Sequence, residues 1–511
     1  MSNLISKTDY LVWKDCPHNA WMKKWKPEIY NALPPSEFDQ HLIDTGSMVE
    51  EEARKLYSGG IPIEGRDEGA VNKTRDLLEK KTATIYQASF SDDKLFAAVD
   101  ILKQGKDGEL YIYEVKASNS SRLEEGDKDI DEEHLFDLAF QVYLVRKAGY
   151  KVGAAYLVRL DKEYVRLGDI DLNKLFYSRS IDEYVEKVIP KIERDIPIML
   201  EQLGSSKQPN GPCGCIYKGR SRHCTTFKYH NKDILKDVID YSVHDLTAVG
   251  RSQKKLQVLI DSNVYDIAKI SEEDIEMFGE KIQKQIRVHQ RGKANIDFEA
   301  IRGELSKLEF PLYFLDYESF NPAIPRFDGY KPYQHIPFQF SLHKLDTIDS
   351  KLEEIEPFFY MEKGDPTPFF IDHLEKKIGR VGRIVVWNRT FEESLINKNI
   401  ALRLPKYAEF INGVNSRIFD LMTIFSKQLH IHPDFHGSAS IKKVLPVLCP
   451  SLSYKELEVG NGSEAMNTWN RLVTEDMTKE QKEELKQSML VYCRLDTFAM
   501  YEIWKYLMGI I

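Results

Sequence analysis

Pro311-Leu-Tyr-Phe-Leu-Asp-Tyr-Glu-Ser-Phe320 decides how the C-terminal part of the chain reads. Residues 312–315 form a short, aromatic-rich apolar run that predicts a buried strand. Asp316 and Glu318 stand at its end, two residues apart, so on a strand they share one face. Two acids so placed repel each other unless a cation lies between them. The plain alternative is an exposed strand end with two solvated acids. Ligands elsewhere in the chain decide between the two.

Downstream, residues 338–343 and 382–387 predict further strands, with a helix at 368–378 between them. The second strand runs into Asn388-Arg-Thr-Phe-Glu392. Arg417-Ile-Phe-Asp420-Leu predicts the start of a helix, and 438–445 continues a helical pattern. Residues 489–497 predict a helix on which Tyr492 and Asp496, one turn apart, share a face. Asp316, Glu318, Glu392 and Asp496 are then four acids at element ends. Four carboxylates are what two divalent ions about 4 Å apart need for in-line attack on a phosphodiester. Tyr492 is placed to orient the attacking water.

The motifs Asp316-x-Glu318, Asn388-x3-Glu392 and Tyr492-x3-Asp496 resemble the DEDD exonucleases of the RNase H fold, in the subgroup with tyrosine in its third motif. The resemblance covers 306–511. It implies an RNase H-like mixed-sheet domain, metal ligation by the four acids, a catalytic Tyr492 and removal of nucleotides from a 3′ end. The second motif of that family usually ends in Asp, where this chain has Glu392. Asp420 matches no core ligand of the family and stands as a substitute or supporting group.

The N-terminal stretch carries a second constellation. A helix over 38–56 contains Gly46, Glu50, Glu51 and Glu52, which read mainly as a solvated face. Residues 83–89 and 95–102 predict strands, and the second contains Asp100. A Gln-Gly-Lys-Asp-Gly turn follows, and Glu109-Leu-Tyr-Ile-Tyr-Glu114-Val-Lys116 returns as the hairpin partner. Glu114 and Lys116 share a strand face, and hairpin pairing brings Asp100 toward them. Two acids holding Mg²⁺ or Mn²⁺, with a lysine beside them, suit phosphodiester hydrolysis; a cross-strand ion pair is the bland reading. The next helix, 131–148, sets Gln141 in an apolar face, where it needs a partner. A strand at 151–158 follows.

These residues resemble the RecB-type PD-(D/E)XK nucleases, especially the CRISPR-associated and AddB-like exonucleases with an iron–sulfur cluster. The resemblance implies metal ligation by Glu50, Asp100 and Glu114, with Lys116 and Gln141 catalytic. In many relatives a histidine stands where Glu50 does. It also bears on the cysteines. Cys16 precedes this region, and Cys213-Gly-Cys215 and Cys224 follow it. One thiolate before and three after would staple the two ends, around a 4Fe–4S cluster or a zinc ion, with His18 and His223 as further possible ligands; free structural thiols are the plain alternative. Cys449 and Cys493 read as ordinary core residues.

Residues 226–305 read as a helical linker. Its 264–274 stretch is weakly similar to small modules that grip nucleic-acid backbone. Its basic run Lys281, Lys284, Arg287, Arg291 and Lys293 reads as a phosphate-contacting or solvated face. At 511 residues the chain exceeds one core, and the expected organisation is three regions: 1–225, 226–305 and 306–511. The expected class is α/β: a restriction-endonuclease-like domain, the linker and an RNase H-like domain. A net charge of −9 argues against a uniformly basic nucleic-acid coat. No apolar run approaches a membrane span and no signal peptide opens the chain, so the expected location is cytoplasmic. The expected partner is nucleic acid, DNA rather than RNA, in repair, recombination or defence; the alternatives are a catalytically weak or inactive nucleic-acid-binding scaffold and an RNA-trimming exonuclease.

Overall fold

In this computed structural model the described residues are 4–32, 37–92, 94–120, 130–251, 253–454, 457 and 459–511. The chain is an α/β protein and divides into two compact units. Unit 1 holds residues 1–216, 223–234 and 322–333; unit 2 holds 217–222, 235–321 and 334–511.

Unit 1 is built on one sheet of β1 (Ile5–Ser6), β2 (Ile61–Pro62), β3 (Thr84–Ser91), β4 (Leu95–Gln104), β5 (Leu110–Ser120), β6 (Val152–Asp161) and β7 (Phe176–Ser180). The order is β2-β3-β4-β5-β6-β7, with β1 parallel to β4. β3, β4 and β5 form an antiparallel meander; β6 then lies parallel to β5, reached through the helix Glu132–Lys147. Phe136, Phe140 and Leu144 of that helix close over Ile85, Val99, Ile112 and Leu157. The other face carries Ile101, Val115 and Val158 against Val49 and Ala53 of the helix Glu37–Arg54. Covering both faces is why β4 reads as an almost unbroken apolar run rather than an alternating one.

Unit 2 contains a ribbon of β8 (Asn295–Ile296) and β14 (His430–Ile431) and a five-stranded sheet. The sheet runs β11 (Glu353–Phe359), β10 (Ile336–Leu345), β9 (Leu312–Phe320), β12 (Arg383–Val386), β13 (Ile418–Asp420). The first three are antiparallel; β12 and β13 continue parallel to β9. Gly382 opens β12 at φ +87°, where a Cβ would fall 2.0 Å from the Pro311 carbonyl oxygen, so only glycine lets the two segments meet. The 32-residue helix Lys479–Ile510 packs on β9 and β10, and the Gln339 amide donates to the Met489 carbonyl beneath it.

Two expectations change. β9 extends through Phe320, so Asp316 and Glu318 lie within a strand; β12 pairs with β9 only as far as Phe314, which leaves the acids beyond its end. Residues 418–420 are a strand, not a helix start: the helix Ala408–Arg417 ends there, and Ile418 and Phe419 pair with Ile384 and Val385. Three residues are too few to show a period, and tertiary pairing decides. In the linker, Lys284 pairs with Glu280, and Arg287 with Glu272 and Glu276, so two members of the basic run are neutralised locally. Among the described residues no helix is long and apolar enough to cross a membrane.

Candidate functional site

In unit 1 the hairpin register sets Ile101 opposite Tyr113, which places Asp100 across from Glu114. Asp100 Oδ2 accepts the Val115 N–H at 2.9 Å. Its Oδ1 accepts from Gln87 Nε2 at 3.1 Å, and the same amide donates to Glu50 Oε1 at 2.6 Å. Glu50 is therefore tied to Asp100 through Gln87, while also pairing with Arg54. Gln87 sits mid-strand at φ +52°, a left-handed conformation rare for a non-glycine residue and common where side chains are re-aimed at a site. A cleft of about 620 Å³ opens beside it, lined by Ser47, Glu50, Arg54, Arg66 and Gln87.

Glu114 meets Lys116 at 2.8 Å and Gln141 Nε2 at 2.7 Å. Two residues unanticipated in the sequence join them. Asp137, one turn before Gln141, pairs with Lys116 at 2.5 Å; Lys7 bridges Glu114 and Asp137 at 3.1 and 2.8 Å. Burial pushes Asp100 up, Glu50 adds repulsion, and the attraction of Lys7 does not offset them. Burial also pushes Glu114 up, but Lys116 and Lys7 outweigh it and hold this carboxyl below its usual range. Lys7 and Lys116 stay charged, since the facing acids overcome the cost of burying them.

In unit 2 one cavity of about 230 Å³ is lined by Asp316, Glu318, Glu392, Tyr492 and Asp496, the whole set expected from three separate motifs. Asp316 and Glu318 project from β9, and Glu392 from the π-helical turn Thr390–Asn397 that follows β12. A π-helical turn is a local irregularity often found at functional sites. Glu392 Oε2 is buried without a hydrogen-bond partner. Tyr492 and Asp496 come from one face of the long helix.

The wall also holds Lys442, whose Nζ donates to the Gly460 carbonyl at 2.6 Å and lies 5.4 Å from the Tyr492 ring centroid. Tyr454 donates to Asp496 Oδ1 at 2.6 Å. Cys493, read as a plain core residue, turns its thiol to Asp316 Oδ2 at 3.4 Å. Asp420 is not on the cavity wall; its oxygens accept the Met422 and Arg389 N–H groups and shape the turn after β13. Burial, then repulsion from Asp496, pushes Asp316 well above the usual carboxylate range; burial, then repulsion from Asp316, does the same to Glu318 and Glu392. Burial raises Asp496 to about 6, moderated by Tyr454 and Lys442. Buried acids that repel one another in this way suit cation binding.

The sulfurs of Cys16, Cys213, Cys215 and Cys224 all lie within 4.8 Å of one another, with Cys213 and Cys224 at 3.9 Å. Cys16 caps the end of the helix Lys7–Asp15, and the Asn231 amide donates to Cys213 Sγ at 3.2 Å. Contact among the sulfurs pulls Cys213 and Cys215 down and pushes Cys16 and Cys224 up, the splitting expected of thiols that cannot all ionise without a cation. His18 and His223 fall outside the quartet: His18 packs edge-on against His230, and His223 stacks on Phe227. Burial, with His18 adding to it, holds His230 down near 4, so it stays neutral beside the sulfurs.

The fold and these groups define an α/β protein with two buried acidic centres and a four-cysteine site that could hold metal. Residues 313–440 match a family model described as a domain of unknown function, DUF2779. That stretch contains Asp316, Glu318 and Glu392 but stops short of Lys442, Tyr492 and Asp496. An uncharacterized protein of Ureaplasma parvum serovar 3, UU173, is 28% identical over 246 residues, which cover 43% of this chain and 33% of the relative. The chain thus matches about a third of that relative's length.

Proposed function

We propose that this chain is a metal-dependent nuclease acting on DNA, with a phosphodiester-hydrolysing centre in each unit. The observation that carries the reading is the convergence of Asp316, Glu318, Glu392, Asp496 and Tyr492, spread over 180 positions of sequence, on one cavity. Mg²⁺ or Mn²⁺ held by these acids would polarise the phosphate and make water a stronger nucleophile. Tyr492 orients the water, Lys442 offsets charge on the acids, and the half-buried Phe391 offers a ring for a terminal base to stack on. The mixed sheet agrees with the RNase H-like expectation, and 3′-to-5′ exonuclease action follows from that resemblance. In unit 1, Asp100, Glu114, Lys116 and Gln141 form the second centre, with Arg54 and Arg66 facing the cleft where a phosphate backbone would approach. DNA repair, recombination or defence are the settings such an enzyme suits.

End-labelled single- and double-stranded DNA and RNA, incubated with Mg²⁺ or Mn²⁺, test this beside Lys116→Ala and Asp316→Ala. Loss of one activity in each variant is the expected result. RNA shortened in preference to DNA would replace the substrate class, and intact substrates throughout would leave a nucleic-acid-binding scaffold. Tyr492→Phe should keep metal binding yet slow the Asp316-dependent activity by about 10²-fold.

For the cysteines the sulfur spacing favours a single tetrahedral ion, zinc being the best fit. Bonds of about 2.3 Å to one ion set sulfurs about 3.8 Å apart, whereas a 4Fe–4S cubane needs about 6 Å. One zinc per chain and no visible absorbance is the expected result for protein purified without oxygen; four irons with a band near 400 nm would replace it with the 4Fe–4S cluster.

A further inference from the structure

Lys7 is the feature of the unit 1 centre that neither the family resemblance nor the hydrolytic reading uses. It is the first residue of the helix Lys7–Asp15, 107 positions from Glu114. Its ammonium lies 3.1 and 3.2 Å from the two oxygens of Glu114 and 2.8 Å from Asp137 Oδ1. Lys116 closes the other side, at 2.8 Å from Glu114 and 2.5 Å from Asp137. The four charges alternate around a ring. Gln141 completes it, donating to Glu114 Oε2 and to Asp137 Oδ1 at 3.0 Å. Each of the four oxygens of Glu114 and Asp137 therefore has a protein donor.

Asp100 differs. Among the described residues its oxygens take neutral donors, the Gln87 amide and the Val115 N–H. A divalent ion at the Asp100 edge of Glu114 displaces neutral donors from Asp100 and leaves both ammonium groups paired with Asp137. An ion between Glu114 and Asp137 must expel an ammonium that already supplies the charge there, and leave that ammonium buried without its partners.

The placement of Lys7 is built. β1 pairs Ile5 with Leu95 and Ser6 with Phe96, and Ser6 closes a capping box with Asp9 at the head of the helix. Tyr10 donates to Asp195 and Trp13 to Gln202 along its length, and Cys16 fastens its far end into the cysteine quartet. A lysine that was only a surface residue would need none of this.

We infer that Lys7 is a resident cation of the unit 1 centre: its ammonium fills the seat between Glu114 and Asp137, so the centre takes one divalent ion, on the Asp100–Glu114 edge, and not two. The inference rests on the reading of Asp100, Glu114 and Lys116 as a phosphodiesterase centre. Within it, Lys7 is a positioning residue, holding Glu114 and Asp137 so that Lys116 faces the phosphate.

The test is Mn²⁺ stoichiometry by titration calorimetry on the full chain carrying Asp316→Asn and Asp496→Asn, which silence the unit 2 acids. One ion is expected in this background and in Lys7→Arg, and two in Lys7→Met. Asp137→Asn, which leaves the backbone of its helix unchanged, should keep the one ion, and Asp100→Asn should lose it. An unchanged single ion in a folded Lys7→Met, two ions in the background, or loss of the ion in Asp137→Asn would overturn the inference while leaving the hydrolytic reading in place. No Mn²⁺ in any of these proteins would sink that reading itself, and the inference with it.

Discussion

Asp316→Asn is expected to abolish the unit 2 activity and, at pH 8 without metal, to raise the melting temperature. A substitution that destroys a site while strengthening the fold marks buried charge held for function. Asp316, Glu318, Glu392 and Asp496 all have carboxyls shifted upward, first by burial and, in Asp316, Glu318 and Glu392, also by repulsion. Below about pH 4, near the unfolded pKa, the acids are protonated in both states and impose no penalty. As pH rises through the native values, about 6 for Asp496, folding must bury ionised groups that the unfolded chain leaves in water. Stability of the metal-free protein is therefore fully present in acid and is lost as pH rises through about 6. For Asp496 alone the shift from 3.8 to about 6 corresponds to roughly 3 kcal/mol. Removing the Asp316 charge relieves its own burial and its repulsion of Glu318.

The measurement is a set of melting curves in chelator from pH 5 to 8.5. The wild-type midpoint should fall across that range, by about 2–4 °C per kcal/mol in a unit of this size. Asp316→Asn should show a shallower fall. Adding Mg²⁺ reverses the sign for the wild type, since the ion binds only the ionised acids: the gain should be larger at pH 8 than at pH 5.5, and small in the variant. A flat wild-type profile in chelator would reject the electrostatic account.

What the sequence discloses of these centres follows contact distance and pattern. Asp100, Glu114 and Lys116 are legible because one hairpin brings them together, and Gln141 because a polar residue in an apolar helix face needs a reason. Asp137 lies one turn from Gln141 on the same face, a spacing that could have flagged it, but with Glu132 and Glu133 nearby it reads as one more solvated acid. Lys7 carries no such signal: a lysine opening a helix reads as exposed, and its partners are over a hundred positions away. In unit 2 the ordered motifs name the four acids and Tyr492. Lys442, Tyr454 and Cys493 enter through tertiary packing, so nothing in their local spacing distinguishes them. Ile418–Asp420 fails for the same reason, since its strand character comes from the neighbour it pairs with.

Cys16→Ser is expected to produce the largest loss of stability in unit 1, and to silence the Lys116-dependent activity while sparing the Asp316-dependent one. Cys16 is separated from Cys213 by nearly the whole of unit 1, and a bound ion would close that loop as a cross-link does. For a loop of this order the unfolded-state entropy removed by a cross-link is about 5 kcal/mol, and a metal site that forms only in the folded protein adds its binding energy to folding. At about 2–4 °C per kcal/mol the midpoint of unit 1 should fall by roughly 10–20 °C. The effect reaches the acidic centre through one element: the helix that ends at Cys16 begins at Lys7. Freeing its far end loosens the ammonium between Glu114 and Asp137, and both acids are then left buried with half their countercharge. Stripping metal from the wild type with a strong chelator should reproduce both effects, and restoring it should reverse them. The decisive comparison is Cys449→Ser, a thiol outside the quartet. If Cys16→Ser and Cys449→Ser melt together, the quartet holds no ion that matters to the fold.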